Sequence, residues 1–210
     1  VSGVSMFVVR WACVGVLCVG VAEFVIQCLR VEGLMTLFIS EGLSDDLGRP
    51  LFRGPWVHLP LILAGGVTAI FARTPGFTWL ALMIVLAELV IVISRFAFSY
   101  EQSFMGDLVR FWYAGLFLFS SAYTLFDDGH VRVDVFYAGM SPTTKGMVNA
   151  VGCLALGVVM CWLMLTLGLG TENSTLMAPL VNFMIGSSTT GLYVKYLLAG
   201  FLGVYALTML

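Results

Sequence analysis

Six apolar runs, each about long enough to cross a bilayer, restrict this chain more than any other feature of its sequence. A helix rises 1.5 Å per residue, so roughly 20 apolar residues cross a hydrocarbon core of roughly 30 Å. The chain is 60% hydrophobic and only 10% charged, whereas ordinary soluble domains are roughly 25% charged. We therefore predict an all-α polytopic membrane protein. The predicted transmembrane helices cover residues 6–29, 54–72, 77–98, 108–126, 142–169 and 191–210.

Charge and motif content exclude several classes of protein. The net charge is −2 and no basic cluster is present, so nucleic acid is not an expected partner. All five cysteines lie within apolar runs, where they pack as small hydrophobic residues, and we expect neither disulfides nor a metal. The sequence contains no phosphate-binding loop, zinc-protease motif or nucleophile elbow. We therefore expect neither ATP hydrolysis nor ordinary catalysis, and we expect no cofactor.

Two glutamates lie inside predicted spans, where an ionised carboxylate is costly unless it is paired or faces protein. Glu23, in the first span, could belong to an ion relay or be a packed or protonated carboxyl. We favour the packed interpretation because no other group nearby is arranged for relay chemistry. Glu88, in the third span, cannot easily reach the interface, so we expect a polar partner from another helix or subunit. Arg95, seven residues later on the same helix face, can extend to the interface.

The segments around the second span carry further predictions. Residues 32–53 form the only long polar region, which we predict to be a surface loop with an amphipathic part at the membrane interface. His58, near the start of the second span, is predicted to be interfacial. Gly65-Gly66 would permit close approach of a neighbouring backbone. A tight turn at 73–76 predicts that the second and third spans form a helical hairpin.

A polar strip, residues 127–134, interrupts the apolar sequence between the fourth and fifth spans. His130, Arg132 and Asp134 alternate with valines, which in an extended segment places the charged groups on one side. Spacing alone leaves two interpretations open. The strip is either a docking segment or a solvated connector whose arginine contacts lipid phosphate.

The amino-acid sequence of this strip resembles the signature of a known family. Residues 129–134 read GHVRVD, with SAYTL before them at 121–125 and MSP after them at 140–142. This pattern is similar to that of the DctQ family, the small membrane subunit of TRAP transporters. Arg95 precedes Phe96 where the family usually has Arg-Tyr, and Asp107 opens the next span where glutamate is commoner. The resemblance extends from about Phe77 to the C-terminus.

The resemblance implies two units: a four-span core at 77–210, and an N-terminal extension at 1–76 with two spans and a polar loop. It implies a scaffold subunit without a substrate site, which supports a large DctM-like membrane subunit in ion-coupled uptake, usually with sodium. A DctP-like periplasmic protein would deliver an organic acid. The expected location is the bacterial inner membrane, in contact with phospholipid and with both ends cytoplasmic. The residues expected at subunit interfaces are Arg95, Asp107, Gly129, His130, Arg132 and Asp134.

Two other classes of function remain open from the residues. A stand-alone ion-coupled carrier would use Glu23 and Glu88 as its ionisable groups. A membrane enzyme subunit could bind haem or quinone. The chain has only two histidines, and they are predicted at unlike depths, which argues against bis-histidine haem.

Overall fold

The computed structural model describes residues 2–71, 76–100, 102–126, 137–181, 192 and 194–209, and all regular structure within them is helical. Two of the long helices each contain a short π-helical segment, one at Gly54–His58 and the other at Cys153–Val158. The helices are α1 (Ser2–Val31), α2 (Met35–Phe38), α3 (Glu41–Leu47), α4 (Pro50–Phe71), α5 (Phe77–Ala97), α6 (Met105–Phe126), α7 (Pro142–Leu169), α8 (Met177–Val181) and α9 (Lys195–Met209).

Four of these helices, α1, α4, α5 and α7, are long and apolar enough to cross a membrane by length and composition. This confirms the prediction of an all-α polytopic membrane protein. The other two predicted spans are also helical, α6 with 22 residues and α9 with 15. A total of six membrane crossings stays a prediction.

Helix starts follow the local sequence. Ser141 caps α7, because its hydroxyl accepts a hydrogen bond from the Thr144 N–H at 3.3 Å, and Pro142 occupies the first turn. Gly76 precedes α5 with φ of 78°, a left-handed conformation that glycine adopts without strain. The rest of the predicted 73–76 turn lies outside the described residues.

The polar loop is shorter than predicted because α4 begins at Pro50 rather than at Gly54. Proline fits the first helical turn, where its missing N–H has no partner to lose. Two short helices, α2 and α3, occupy most of the loop that remains. This extra turn of α4 carries Arg53 into the protein interior.

Helix α1 packs closely and antiparallel against α4. A Cβ atom on Gly65 would lie 3.1 Å from the backbone nitrogen of Gly15, so the two backbones are in direct contact. The indole N–H of Trp11 donates a 2.6 Å hydrogen bond to the carbonyl of Ile62. The predicted close approach at Gly65 is confirmed, and its partner is α1.

Helix α6 packs on another face of α1. A Cβ on Gly20 would lie 2.0 Å from Nε1 of Trp112, and a Cβ on Gly115 would lie 2.9 Å from Cγ1 of Val16. On its other side α6 contacts α9, where the ring of Phe201 packs against two buried phenylalanines of α6, one tilted and one edge to face. Helix α1 therefore lies at the centre of the bundle, although a boundary between two units at residue 77 stays a prediction.

Helices α5 and α7 lie at the edge of the bundle and expose most of their apolar side chains. The start of α5 packs against the end of α6, where the rings of Phe77 and Tyr123 meet edge to face with centroids 5.5 Å apart. The buried residues of helix α7 are small, namely Cys161 and Gly168. The wide apolar faces of both helices are open to lipid or to another protein.

Candidate functional site

Four polar side chains from three helices meet in the interior of the bundle. Glu23 of α1 accepts a hydrogen bond from Nη1 of Arg53 at 2.8 Å, and its other carboxylate oxygen lies 2.7 Å from Nε2 of His58. Nδ1 of His58 in turn contacts the hydroxyl of Tyr196, at the start of α9. Glu23 and Arg53 are 0% exposed and His58 is 1% exposed. We call these four residues the Glu23 cluster.

The π-helical segment of α4 explains why two residues of one helix reach the same carboxylate. Arg53 and His58 are five positions apart, which in a regular α-helix would turn them well away from each other. In the segment Gly54–His58 the turn is widened, and the N–H of Leu59 bonds to the carbonyl of Gly54, five residues earlier. Widened turns of this kind occur frequently at functional sites.

The contacts of the Glu23 cluster are chemically consistent. A neutral imidazole satisfies both of its neighbours, because Nε2–H donates to the Glu23 carboxylate and Nδ1 accepts from the Tyr196 hydroxyl. Arg53 and Glu23 then balance each other's charge. A buried pair with additional hydrogen bonds can persist inside a protein, whereas either partner alone would be costly.

The cluster also fastens the connection between α1 and α4 to the bundle. Nε of Arg53 donates a hydrogen bond to the carbonyl of Leu47, the last residue of α3. Nearby, the ring of Phe24 packs against Phe104, just before α6, with centroids 6.2 Å apart. The end of α1 and the starts of α4, α6 and α9 thus meet at one end of the bundle.

Sequence reasoning missed this cluster. Arg53 was expected in a surface loop and His58 at the interface, and both expectations are wrong because α4 starts early and turns both side chains toward α1. Glu23 is packed, which is the interpretation favoured from the sequence, but its neighbours Arg53 and His58 were not predicted. The available signal was three ionisable residues at or near the ends of neighbouring apolar runs, which cannot all be left unpaired in lipid.

The predicted residues on α5 and α6 are placed differently. Glu88 and Arg95 are both exposed, and Glu88 has no hydrogen bond or ion pair within the part of the chain that the structure describes. Asp107, in the first turn of α6, lies 3.5 Å from Arg110. The structure does not bring Glu88 together with Glu23.

The remaining predicted residues, Gly129, His130, Arg132 and Asp134, lie outside the described residues. Their neighbours on either side are described, since α6 ends at Phe126 and α7 begins at Pro142. Because the Glu23 cluster lies near the start of α6, the polar strip follows the opposite end of that helix. At 1.5 Å per residue, the 22 residues of α6 separate the two ends by roughly 30 Å.

A cavity of about 280 Å³ opens between α1, α4, α6 and α9. Its lining consists of apolar and aromatic side chains and two glycines, and it shows no polar group that could hold an ion or a carboxylate. Within the described residues, no group of three or more His, Cys, Asp or Glu side chains could hold a metal ion.

Comparison with known proteins assigns the second part of the chain to a protein family. A family model described as "Tripartite ATP-independent periplasmic transporters, DctQ component" matches residues 81–210, which is more than half of the chain. No curated protein and no solved structure matches the chain.

Proposed function

The chain belongs to the DctQ family, the small membrane subunits of tripartite ATP-independent periplasmic transporters, and we propose that it serves as a scaffold for a large membrane subunit. In this proposal the assembled transporter takes up an organic acid, coupled to sodium, after a periplasmic binding protein delivers it. The chain lies in the bacterial inner membrane with both ends in the cytoplasm. Its own contribution is support and docking.

The observation that carries this proposal is the family match over residues 81–210. The structure supports a scaffold role in two ways. The cavity between the helices is apolar, whereas transport sites are lined with polar groups near the midplane. Helices α5 and α7 also expose broad surfaces, part of which is available to a second membrane protein while the rest faces lipid.

The two alternatives gain no support from the geometry. Both ring nitrogens of His58 are engaged, one with Glu23 and one with Tyr196, so this histidine offers no nitrogen to haem iron. A carrier that used Glu23 and Glu88 would need the two carboxylates on one path. Glu23 is enclosed within the bundle, whereas Glu88 is exposed on α5.

In the proposed orientation the two ends of the bundle have different partners. The Glu23 end, with residues 32–49, 98–100, 102–104 and 170–176, faces the periplasm and is the surface available to the binding protein. The polar strip 127–134 faces the cytoplasm. There Gly129, His130, Arg132 and Asp134 contact the large subunit or lipid phosphate, and Arg132 is suited to bidentate contacts that lysine cannot reproduce. Arg95 and Asp107 lie at subunit interfaces on the periplasmic side.

The interface role is tested by co-purification of the large subunit with Arg132→Ala and Asp134→Ala variants. If these residues form a partly buried pair, removing either one costs roughly 3–5 kcal/mol and sharply lowers recovery of the large subunit. Lys145→Ala is the matched control, since Lys145 lies at the same end of the bundle, in the first turns of α7, and its described contacts are local, with the Ala138 carbonyl and the Tyr137 ring. A variant that assembles normally but changes substrate affinity would contradict the scaffold assignment.

The transport role is tested in liposomes. The chain alone should give no uptake above protein-free controls, while the chain with the large subunit and the binding protein should accumulate an organic acid along a sodium gradient. Uptake by the chain alone would favour a stand-alone carrier. Sodium-independent uptake by the complete system would contradict the proposed coupling.

A further inference from the structure

The three faces of α5 differ in composition and exposure. Its inner line packs against the core formed with α6, and its outer line consists of large apolar side chains open to lipid. A third line runs between them. The inner line consists of Leu80, Ile84, Ala87, Ile91 and Ser94. The outer line consists of Trp79, Leu82, Leu86, Leu89 and Ile93. We call the line between them the Glu88 seam, and it consists of Ala81, Val85, Glu88, Val92 and Arg95.

The Glu88 seam has the spacing of a helix–helix contact. Its members alternate steps of four and three residues, the heptad period that keeps one stripe of a helix against a partner. Its apolar members are small or β-branched, unlike the large residues of the outer line, and small side chains allow helices to approach closely in lipid. Nevertheless Val85 is 63% exposed and Val92 is 47% exposed. The seam has the character of a contact surface, and it has no partner among the residues that the structure describes.

Glu88 gives the seam its specificity. It lies about 16 Å along the helix axis from the start of α5 and about 14 Å from its end, so it is close to mid-membrane. Arg95 can extend to the interface, but a glutamate side chain cannot reach water from that depth. A charged group at the centre of a transmembrane helix costs roughly 3 kcal/mol on insertion scales and normally faces protein. Glu88 therefore needs a donor that the described residues do not provide.

A second copy of the chain does not meet this need. Two copies insert in the membrane in the same orientation, so a symmetric dimer packed along the seam would bring the two Glu88 carboxylates to the same depth. Like charges at close range in lipid oppose such a contact. The partner must therefore carry the complementary charge.

We infer that the Glu88 seam is the docking surface for a transmembrane helix of the large membrane subunit, and that this helix places a basic side chain opposite Glu88. This inference rests on the proposed function. The pair forms only in the assembled complex, where each partner covers the other's charge. The outer line of α5 stays in contact with lipid.

Site-specific photo-crosslinking tests the position of the partner. A photoreactive phenylalanine analogue is placed in the full chain at Val85 or Val92 of the seam, and at Leu82 or Leu89 of the outer line as controls at similar depths. With the large subunit co-expressed, the seam positions should yield adducts of the two proteins, and the outer positions should not. Equal yields at both lines, or adducts from the outer line alone, would overturn the inference.

Charge substitution tests the role of Glu88. We expect Glu88→Leu to weaken recovery of the large subunit roughly tenfold or more, because the basic partner is left buried and unpaired. Glu88→Lys should weaken it further, whereas Leu89→Gln, one position away, should leave recovery close to wild type. The yield and melting temperature of each variant alone show that it folds. Unchanged recovery with Glu88→Leu would overturn the seam only, whereas a wild-type chain that recovers no large subunit would overturn the proposed function itself.

Discussion

Two glutamates of this protein lie within transmembrane helices, and their surroundings are opposite. Glu23 is 0% exposed and contacts Arg53 and His58 at 2.8 and 2.7 Å. Glu88 is exposed on the surface of α5 and has no partner within the described residues. Glu23 belongs to the N-terminal part of the chain that the family model does not match, and Glu88 to the part that it does match.

This difference distinguishes a residue that stabilises the isolated chain from a residue that stabilises its complex with another protein. The bilayer imposes a cost on both carboxylates, and within the described residues only Glu23 has neighbours that offset it. The Glu23 cluster joins α1, α4 and α9, so its partners are present as soon as the chain folds. The partner of Glu88 arrives only with another protein. Substitutions at Glu23 should therefore affect the isolated chain, and substitutions at Glu88 should affect the complex.

The largest expected effect comes from Arg53→Ala. This change leaves the Glu23 carboxylate buried without its cation and removes the donor to the Leu47 carbonyl. We expect a loss of about 3–5 kcal/mol in the free energy of unfolding. Thermal unfolding of the isolated chain in detergent measures it.

The matched comparison for Arg53→Ala is Glu88→Leu, which should leave the melting temperature of the isolated chain unchanged or slightly higher. A double variant, Glu23→Gln with Arg53→Met, removes both charges and should recover part of the stability lost by Arg53→Ala alone. If Glu88→Leu destabilised the isolated chain as much as Arg53→Ala does, the contrast between the two glutamates would be wrong.

A smaller effect is expected from Gly20→Ala in the contact between α1 and α6. The new Cβ would lie 2.0 Å from Nε1 of Trp112, so the indole ring or one of the helices must shift. Overpacking of this kind costs typically 1–3 kcal/mol. Gly3→Ala is the control on the same helix, because nothing lies within 4 Å of its Cβ position. Melting temperatures in detergent that are equal for both variants would show that α1 is not held tightly against α6.

Several parts of the fold were predictable because they depend on local sequence. Apolar runs of sufficient length predicted the long helices, and Ser141-Pro142 predicted the start of α7. The start of α4 was predicted at Gly54 instead of Pro50, because the helix continues through Gly54 and Pro55 as a π-helical segment. Gly65 indicated a close contact, but only the structure identifies Gly15 as its partner.

The candidate sites divide along the same line. The family could be recognised from the short strip 129–134, and the family match confirms it. The Glu23 cluster could not be derived, because Arg53 and His58 are 30 and 35 residues from Glu23 and Tyr196 is 138 residues from His58. Contacts at such separations depend on how whole helices pack. Conversely, the exposure of the Glu88 side chain could not be predicted from the sequence, because it depends on the position of α5 at the edge of the bundle.

The smallest effect is expected at Asp107, and it tests whether the contrast between stability and assembly extends beyond the two glutamates. Asp107 lies 3.5 Å from Arg110 in the first turn of α6, with the side chains 30% and 81% exposed. Exposed pairs and charges at helix N-termini each contribute less than about 1 kcal/mol. Asp107→Asn should therefore hardly change the melting temperature of the isolated chain.

If Asp107 lies at a subunit interface as proposed, the same change should lower recovery of the large subunit or the binding protein. Asp46→Asn, which disrupts the comparable surface pair with Arg49, should not. Loss of both the chain's own stability and its partners would instead assign Asp107 to the folding of α6, and unchanged recovery of both partners would remove it from the interface.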